Sequence, residues 1–416
     1  MSAQPLLDYV AKPDPSFSWR LLGETRLQNG DVSADLEMVS QTWQGIKWTH
    51  RMTLYKPADT PPRATFLLFI TGDYSKTEAD TLTKLIAPIL KVPIAVLHNI
   101  PNQPLFDGKG EDALIAYTFV RFLETGDKTW PLLFPMTKAA VRAMDAVERF
   151  AKSNWNVTVD GFVVSGASKR GWTTWLTGAV DKRVKGIAPM VYDNLNLPAQ
   201  MKLQVESFGT YSEQIEDYTA LNLPQMLGTK EGANLAAIID PYTFRKRITM
   251  PKLIICGTND RYWPLDAATK YFYQLSGPKN ILYVPNSGHG LEDRARVVSS
   301  LAAFAQACVR GRNLPRLAWS FVPIANRQVK ITVSSDTAPK SVSVWTATAP
   351  TRDFRNAKWS RQPMRLQSGQ YAAYLQLPSD AYLAAFAEAE YESQGQTYHL
   401  STLVRIFAPA APRSGK

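Results

Sequence analysis

The chain has 416 residues, 45% hydrophobic and 20% charged, the composition of a folded globular protein and more chain than one ordinary domain of ~100 to 200 residues needs. Its formal net charge is +11, but the 47 basic residues are scattered rather than gathered into a stripe, so nucleic-acid binding is not indicated, and no run approaches the ~20 apolar residues of a membrane span. Two cysteines, Cys256 and Cys308, exclude a disulfide framework, and no cysteine and histidine spacing suggests a zinc site, so no cofactor is expected.

Residues 1–8 carry neither the basic region nor the apolar stretch of a secretion signal. Two alternating segments, 38–43 and 46–52, are separated by Gln44-Gly45 and predict an antiparallel hairpin. After Pro61-Pro62, residues 64–70 form a nearly continuous apolar run of the kind buried on both faces of a sheet. Thr71-Gly72-Asp73-Tyr74 follows it. A helical pattern over 78–90, a strand over 93–97 ending at His98, and helical patterns over 112–124 and 137–153 continue the alternation of strand and helix. Such alternation predicts an α/β fold with a mainly parallel sheet covered by helices on both faces.

The stretch Phe162-Val163-Val164-Ser165-Gly166-Ala167-Ser168-Lys169-Arg170-Gly171-Trp172 is an apolar strand that turns sharply at Ser168 and leaves on a helical stretch. A serine at the apex of a strand-turn-helix, flanked by small residues, has the character of a nucleophile elbow. The usual glycine two residues after the serine is replaced here by Arg170, with Gly171 one position later, so a plain Gly-rich turn is the alternative. A strand over 186–191 comes next, and residues 194–249, rich in Gln, Asn, Tyr and Leu and without a clear strand, are expected to form a helical lid.

The strand 253–257 runs into Asn259-Asp260, and the strand 281–285 into Asn286-Ser287-Gly288-His289-Gly290. Serine, acid and base therefore follow successive strands in the order Ser168, Asp260, His289, the order of an α/β-hydrolase triad. Of the four histidines, His50 and His399 lie in strand-like runs and His98 is the rival base, because it too ends a strand. For the oxyanion hole the candidates are the amide of Lys169 and an amide of Gly72 or Asp73. Arg170, Trp172 and Trp263 are the candidates for substrate contact, with the alternative that Arg170 braces the turn through a carboxylate. Cys256, in a central strand, and Cys308, in an apolar helix over 299–309, are expected to be buried as small hydrophobes.

The segments Gly166-Ala167-Ser168-Lys169-Arg170-Gly171-Trp172, Asp240-Pro241-Tyr242, Pro251-Lys252-Leu253, Asn259-Asp260 and Val284-Pro285-Asn286-Ser287-Gly288-His289 together resemble the PhoPQ-activated pathogenicity-related protein family. The resemblance runs from about residue 7 onward. It implies an α/β-hydrolase-like fold, Ser168, Asp260 and His289 as nucleophile, acid and base, and no settled substrate. Members of that family are often exported, which points to a periplasmic or secreted protein, against the absence of a signal peptide in residues 1–8.

Beyond Gly311-Arg312-Asn313-Leu314-Pro315 the pattern switches to period two, over 317–322, 328–333, 342–346 and 371–377, which predicts a β-sandwich-like accessory domain over 312–416 beside a hydrolase-like domain over 1–311. The chemistry expected is acyl transfer to water from a carboxylic ester, with a small-molecule or peptide substrate. The alternatives are an aminopeptidase or dipeptidyl-peptidase, for which Glu206, Glu213, Glu216 or Asp217 would hold the substrate ammonium, and a silent binding protein on a hydrolase scaffold.

Overall fold

The computed structural model describes residues 4–410. After a helix over Gln4–Ala11 come strands β1 (Ser18–Arg26), β2 (Val32–Trp43) and β3 (Ile46–Lys56), an antiparallel ribbon. The Gln44-Gly45 turn between β2 and β3 has both residues at positive φ, 50° and 76°, the two-residue geometry that follows the twist of a hairpin.

Six parallel strands follow: β4 (Arg63–Ile70), β5 (Ile94–Leu97), β6 (Thr158–Ala167), β7 (Val184–Met190), β8 (Lys252–Gly257) and β9 (Lys279–Val284), in the order β5-β4-β6-β7-β8-β9. Alternate residues of these strands enter two buried clusters, which is why their sequences are apolar throughout rather than alternating. Phe66, Leu68, Phe162 and Val164 pack with the helices Leu133–Trp155 and Lys169–Val180 on one face, and Leu67, Val163, Ile255 and Leu282 with the helix Arg294–Val309 on the other. The helix expected over 78–90 is present as α-helical turns at Lys76–Asp80 and Ala87–Leu90 around a π-helical stretch, Thr81–Ile86. Between β7 and β8 the chain leaves the sheet for short helices, the longest being Leu197–Phe208 and Lys230–Ile239, with no strand between them.

The C-terminal strands are β10 (Leu317–Ile324), β11 (Gln328–Ser335), β12 (Ser341–Ala349), β13 (Ser360–Pro363), β14 (Arg365–Gln367), β15 (Gln370–Gln376), β16 (Tyr382–Ser393), β17 (Gln396–Ser401) and β18 (Arg405–Phe407). Four of them form a sheet in the order β10-β11-β15-β14. The expectation of a detached unit from residue 312 needs correcting, because the others do not stand apart. β17 pairs antiparallel with β9 through Ser401 and Ile281, and the central sheet runs on through β17-β16-β12-β13. The physical reason is the outer edge of β9, whose backbone donors and acceptors need a partner strand. The two C-terminal layers share a core in which Ile331, Val333 and Leu375 join the same buried cluster as Val342, Val344, Ala385 and Ala387. Cys256 and Cys308 are buried and free.

Candidate active site

Ser168 sits between the end of β6 and the helix Lys169–Val180 with φ 58° and ψ −125°, a backbone region that a non-glycine residue occupies only under constraint. Its own amide donates to the carbonyl of Met190 on the neighbouring strand, at 2.9 Å, and its carbonyl accepts from Trp172 N–H. A Cβ on Gly166 would lie 2.8 Å from the Arg170 carbonyl, and one on Gly171 2.8 Å from the Met190 carbonyl. The small residue needed after the turn therefore stands three positions beyond the serine, where the helix crosses β7, and position 170 is free to carry a long side chain.

Arg170 uses that freedom for bracing. Its guanidinium grips Glu111 with two bonds, of 2.8 and 2.6 Å, and donates from Nε to the Ile100 carbonyl. These bonds engage all three guanidinium nitrogens, and Arg170 lies outside the cavity beside Ser168, so the substrate-contact expectation is corrected to the bracing alternative. Lys169 is buried and joins the network, 2.7 Å from Glu111 and 3.1 Å from Asp112. Burial works against the Glu111 charge, but Arg170 and Lys169 outweigh it and hold the carboxyl down at about 2.

Asp260 ends the turn after β8 and His289 lies on the loop after β9. Asp260 is buried, accepts from His289 Nδ1 at 2.8 Å and, through its other oxygen, from the Tyr262 amide at 2.8 Å. His289 Nε2 is buried and has no hydrogen-bond partner among the described residues. The Tyr262 ring stacks on the imidazole at 4.1 Å between centroids and lines the same cavity as Ser168, while Ala167, the residue before the serine, lines a neighbouring cavity with His289. The three expected residues thus gather at the carboxyl edge of β6, β8 and β9. No hydrogen bond joins Ser168 to His289 in this conformation; such bonds commonly tighten only when substrate is bound.

His98 does not compete for this place. Its ring is fully buried against Tyr74, at 5.0 Å between centroids, and neither nitrogen has a partner among the described residues. Burial, aided by the nearby Arg51 charge, pushes it down to about 4. His50 is also buried and driven to about 4, with Nδ1 on the Asn99 carbonyl and Nε2 on Ser40 Oγ, and His399 lies at the far C-terminal strands on β17.

Of the oxyanion candidates, the Lys169 amide opens a helix whose first N–H groups have no partner within it. Gly72 packs against the Arg170 guanidinium, and Asp73 takes hydrogen bonds at 3.2 Å from Gln103 on the solvent side.

The cavity at Ser168 has a volume of about 80 Å³ and is walled by Trp172, Tyr192, Asn194, Tyr262 and Trp263, with lid residues above. Trp172 stacks on Tyr192 at 4.9 Å and donates to the Ile239 carbonyl of the lid, and Trp263 donates to the Val191 carbonyl. Both tryptophans line this cavity. Tyr192 and Asn194 are not foreseen as site residues. They follow β7 through Val191, a β-branched residue held at φ 44°, and the available signal is their position just past a parallel strand, where α/β sheets place ligands. Tyr262 is a second omission, two residues after the acid. Beside them Asp193 is fully enclosed, accepting from Tyr271 at 2.7 Å, and burial pushes its carboxyl up to about 7.

The acid and base loops are also tied to the C-terminal region. Asn259 Nδ2 donates to the carbonyls of Phe354, Arg355 and Ala357, the last at 2.7 Å. Asn286 exchanges two bonds with the backbone of Trp359, and Arg355 reaches Glu213 in the lid at 2.8 Å. Among the described residues no group of three or more His, Cys, Asp and Glu is placed to hold a metal ion.

The sequence pattern described as PhoPQ-activated pathogenicity-related protein matches residues 6–355. Autocrine proliferation repressor protein A of Dictyostelium discoideum is 31% identical over 425 residues, spanning 93% of this chain and 86% of its own. Among solved structures, the acetyl xylan esterase from Paenibacillus sp. R4 is similar with a TM-score of 0.50 at 14% identity, covering 73% of this chain and 92% of the esterase. Acetyl xylan esterase 1 from Thermoanaerobacterium sp. JW/SL YS485 has a TM-score of 0.48 at 16% identity, covering 71% and 91%. The first of these likenesses agrees with the α/β-hydrolase architecture of the central sheet.

Proposed function

The chain belongs to the PhoPQ-activated pathogenicity-related protein family, and from that membership and the site geometry we propose that it is a serine hydrolase acting on carboxylic esters. The observation that carries the reading is the buried Asp260–His289 pair with its unpartnered Nε2, together with a serine held at φ 58° on a strand-helix turn at the same edge of the sheet.

In this reading Ser168 Oγ attacks the ester carbonyl as His289 Nε2 takes its proton. Asp260 keeps Nδ1 protonated and stabilises the imidazolium. The developing oxyanion is met by the Lys169 amide, with a second donor from the Gly72-Asp73 loop, each worth on the order of 3 kcal/mol in the barrier. The Arg170–Glu111 clamp holds the turn and that loop together. His289 then returns the proton to the departing alcohol oxygen, and a water, activated by the same ring, releases the acyl group from Ser168.

Esters are favoured over peptides by the charges at the cavity. An N-terminal ammonium needs an uncompensated carboxylate, but Asp112, the acid that lines the cavity, is paired with Lys169 and accepts from Tyr218. Glu213 is held by Arg261 and Arg355, Glu206 faces Lys202, and Glu216 and Asp217 are exposed and outside the cavity lining. The solved structure named above as an esterase offers support through its fold. The name of the relative, a repressor of proliferation, keeps the silent-binding reading in view.

Initial rates on p-nitrophenyl acetate and butyrate, beside aminoacyl p-nitroanilides, separate these readings. Ester cleavage that disappears in Ser168→Ala, with anilides untouched, is the expected result. The reverse order of substrates would favour a peptidase, and no turnover of either would favour the silent scaffold.

A further inference from the structure

Two buried polar groups in the Ser168 cavity have no partner. Asn194 is 5% exposed and Tyr192 3%, both line the cavity, and neither Asn194 Oδ1 nor the Tyr192 hydroxyl makes a hydrogen bond among the described residues. The Asn194 side chain approaches the Tyr192 hydroxyl closely enough to favour its charged form but short of a full hydrogen bond, so Asn194 Oδ1 and the hydroxyl proton stay unpaired. A buried acceptor left without a donor is unfavourable, so two such groups side by side, in a cavity whose other walls are aromatic and aliphatic apart from Ser168, Lys169 and Asp112, mark a place where a ligand atom belongs.

What belongs there follows from three constraints. Asn194 Oδ1 can only accept, so the ligand must donate, whereas the Tyr192 hydroxyl can give or take; a hydroxyl serves both with one atom. The charges at the cavity are already spent, Asp112 on Lys169 and Glu111 on Lys169 and Arg170, so an ammonium or carboxylate would enter without a counter-ion. The volume is about 80 Å³, well short of the ~150 Å³ cavity that holds a benzene ring, which limits the group to a short chain.

The side of the ester follows from His289. The ring that protonates the leaving oxygen must face the leaving group, and His289 borders the neighbouring cavity with Ala167 rather than this one. The Ser168 cavity is therefore the acyl side. Resting on the serine-hydrolase reading, we infer that the acyl group of the substrate is short, uncharged and hydroxylated, and that Asn194 and Tyr192 select it through that hydroxyl.

The test compares kcat/KM of the full-length protein on p-nitrophenyl esters of butyrate, 2-hydroxybutyrate, 3-hydroxybutyrate and 2-aminobutyrate. One of the hydroxy esters is expected to exceed butyrate by roughly 10- to 100-fold, with the amino ester below it. Asn194→Leu and, with less disturbance of volume, Tyr192→Phe should each shrink that ratio toward one. Equal rates on butyrate and both hydroxy esters, the result if water fills the place, would overturn the inference, as would a preference for the amino ester or a hydroxyl preference that survives both substitutions. In all three cases esters are still cleaved and the hydrolase reading stands. If no ester is cleaved and Ser168 resists a fluorophosphonate, that reading fails and the inference falls with it.

Discussion

Replacing His289 with alanine is expected to lower ester turnover by roughly 10⁴-fold or more, because the imidazole that Asp260 orients is the base of the proposed reaction. The ring is held on three sides: Asp260 bonds Nδ1 at 2.8 Å, Tyr262 stacks on its face, and Nε2 is enclosed without a competing partner. His98→Ala should cost far less turnover, since its ring packs against Tyr74 and has no carboxylate to orient it. The two histidines also separate by stability. In the folded chain His98 is depressed to about 4, so the unfolded chain, titrating near 6.5, takes up a proton first as pH falls. Its contribution is complete above about pH 6.5 and is lost between there and about pH 4, an upper limit of about 3 kcal/mol. The pH slope of stability in denaturant melts across that window should be smaller in a His98 variant, with the slopes due to His50 and His399 left in place. Full activity without the His289 ring, together with its loss in His98→Ala, would move the base to the other end of the strand order.

Breaking the ties between the catalytic loops and the C-terminal region should lower kcat by roughly 10- to 100-fold, the scale of a misplaced catalytic group, with KM less affected. Asn259 adjoins the acid and Asn286 precedes the base by three residues. Their loops are bonded to each other, Asn259 N–H to the Ser287 carbonyl at 2.9 Å and Asn286 N–H to Thr258 Oγ1 at 2.9 Å. Both then fasten to the segment from Phe354 to Trp359. The Asn259→Ala/Asn286→Ala double variant removes these side-chain bonds and the one that Asn259 Oδ1 accepts from Thr258 Oγ1, and neither asparagine lines the Ser168 cavity. Circular dichroism and a thermal melt establish that it is folded; steady-state kinetics then read the effect. Unchanged kcat would mean that the C-terminal region packs on the hydrolase core without shaping its site.

Much of this arrangement is legible in the chain. The parallel strands announce themselves as continuous apolar runs because both faces are covered, and the elbow, acid and base stand at three successive strand ends, where backbone geometry leaves a local trace: small residues about Ser168, Asn259-Asp260, and glycines about His289. The displaced glycine at 171 is explained only by the crossing of the helix over Met190, a contact between elements. What stays hidden is of that kind. Period-two alternation at 342–346 and the strand-like run about His399 tell that strands form, but not that β17 seals the edge of β9. Apolar periodicity over 78–90 does not distinguish an α-helix from one widened at Thr81–Ile86. The Arg170–Glu111 clamp and the Asn259 contacts join residues far apart in sequence, 59 and 95 to 98 positions, with polar side chains that are ordinary in isolation. Asn194 reads as the start of a lid, and Tyr192 carries no reading of its own, because the strained turn at Val191 that precedes them has no signature in a single sequence.

The central claim, that Ser168 is a nucleophile activated by His289, is tested most directly by treating the full-length protein with a fluorophosphonate and locating the adduct by peptide mass spectrometry. The account predicts one adduct, on the peptide carrying Ser168, absent in Ser168→Ala and formed far more slowly in His289→Ala. An adduct on a different serine, one that persists in Ser168→Ala, or none on the unaltered protein would contradict it.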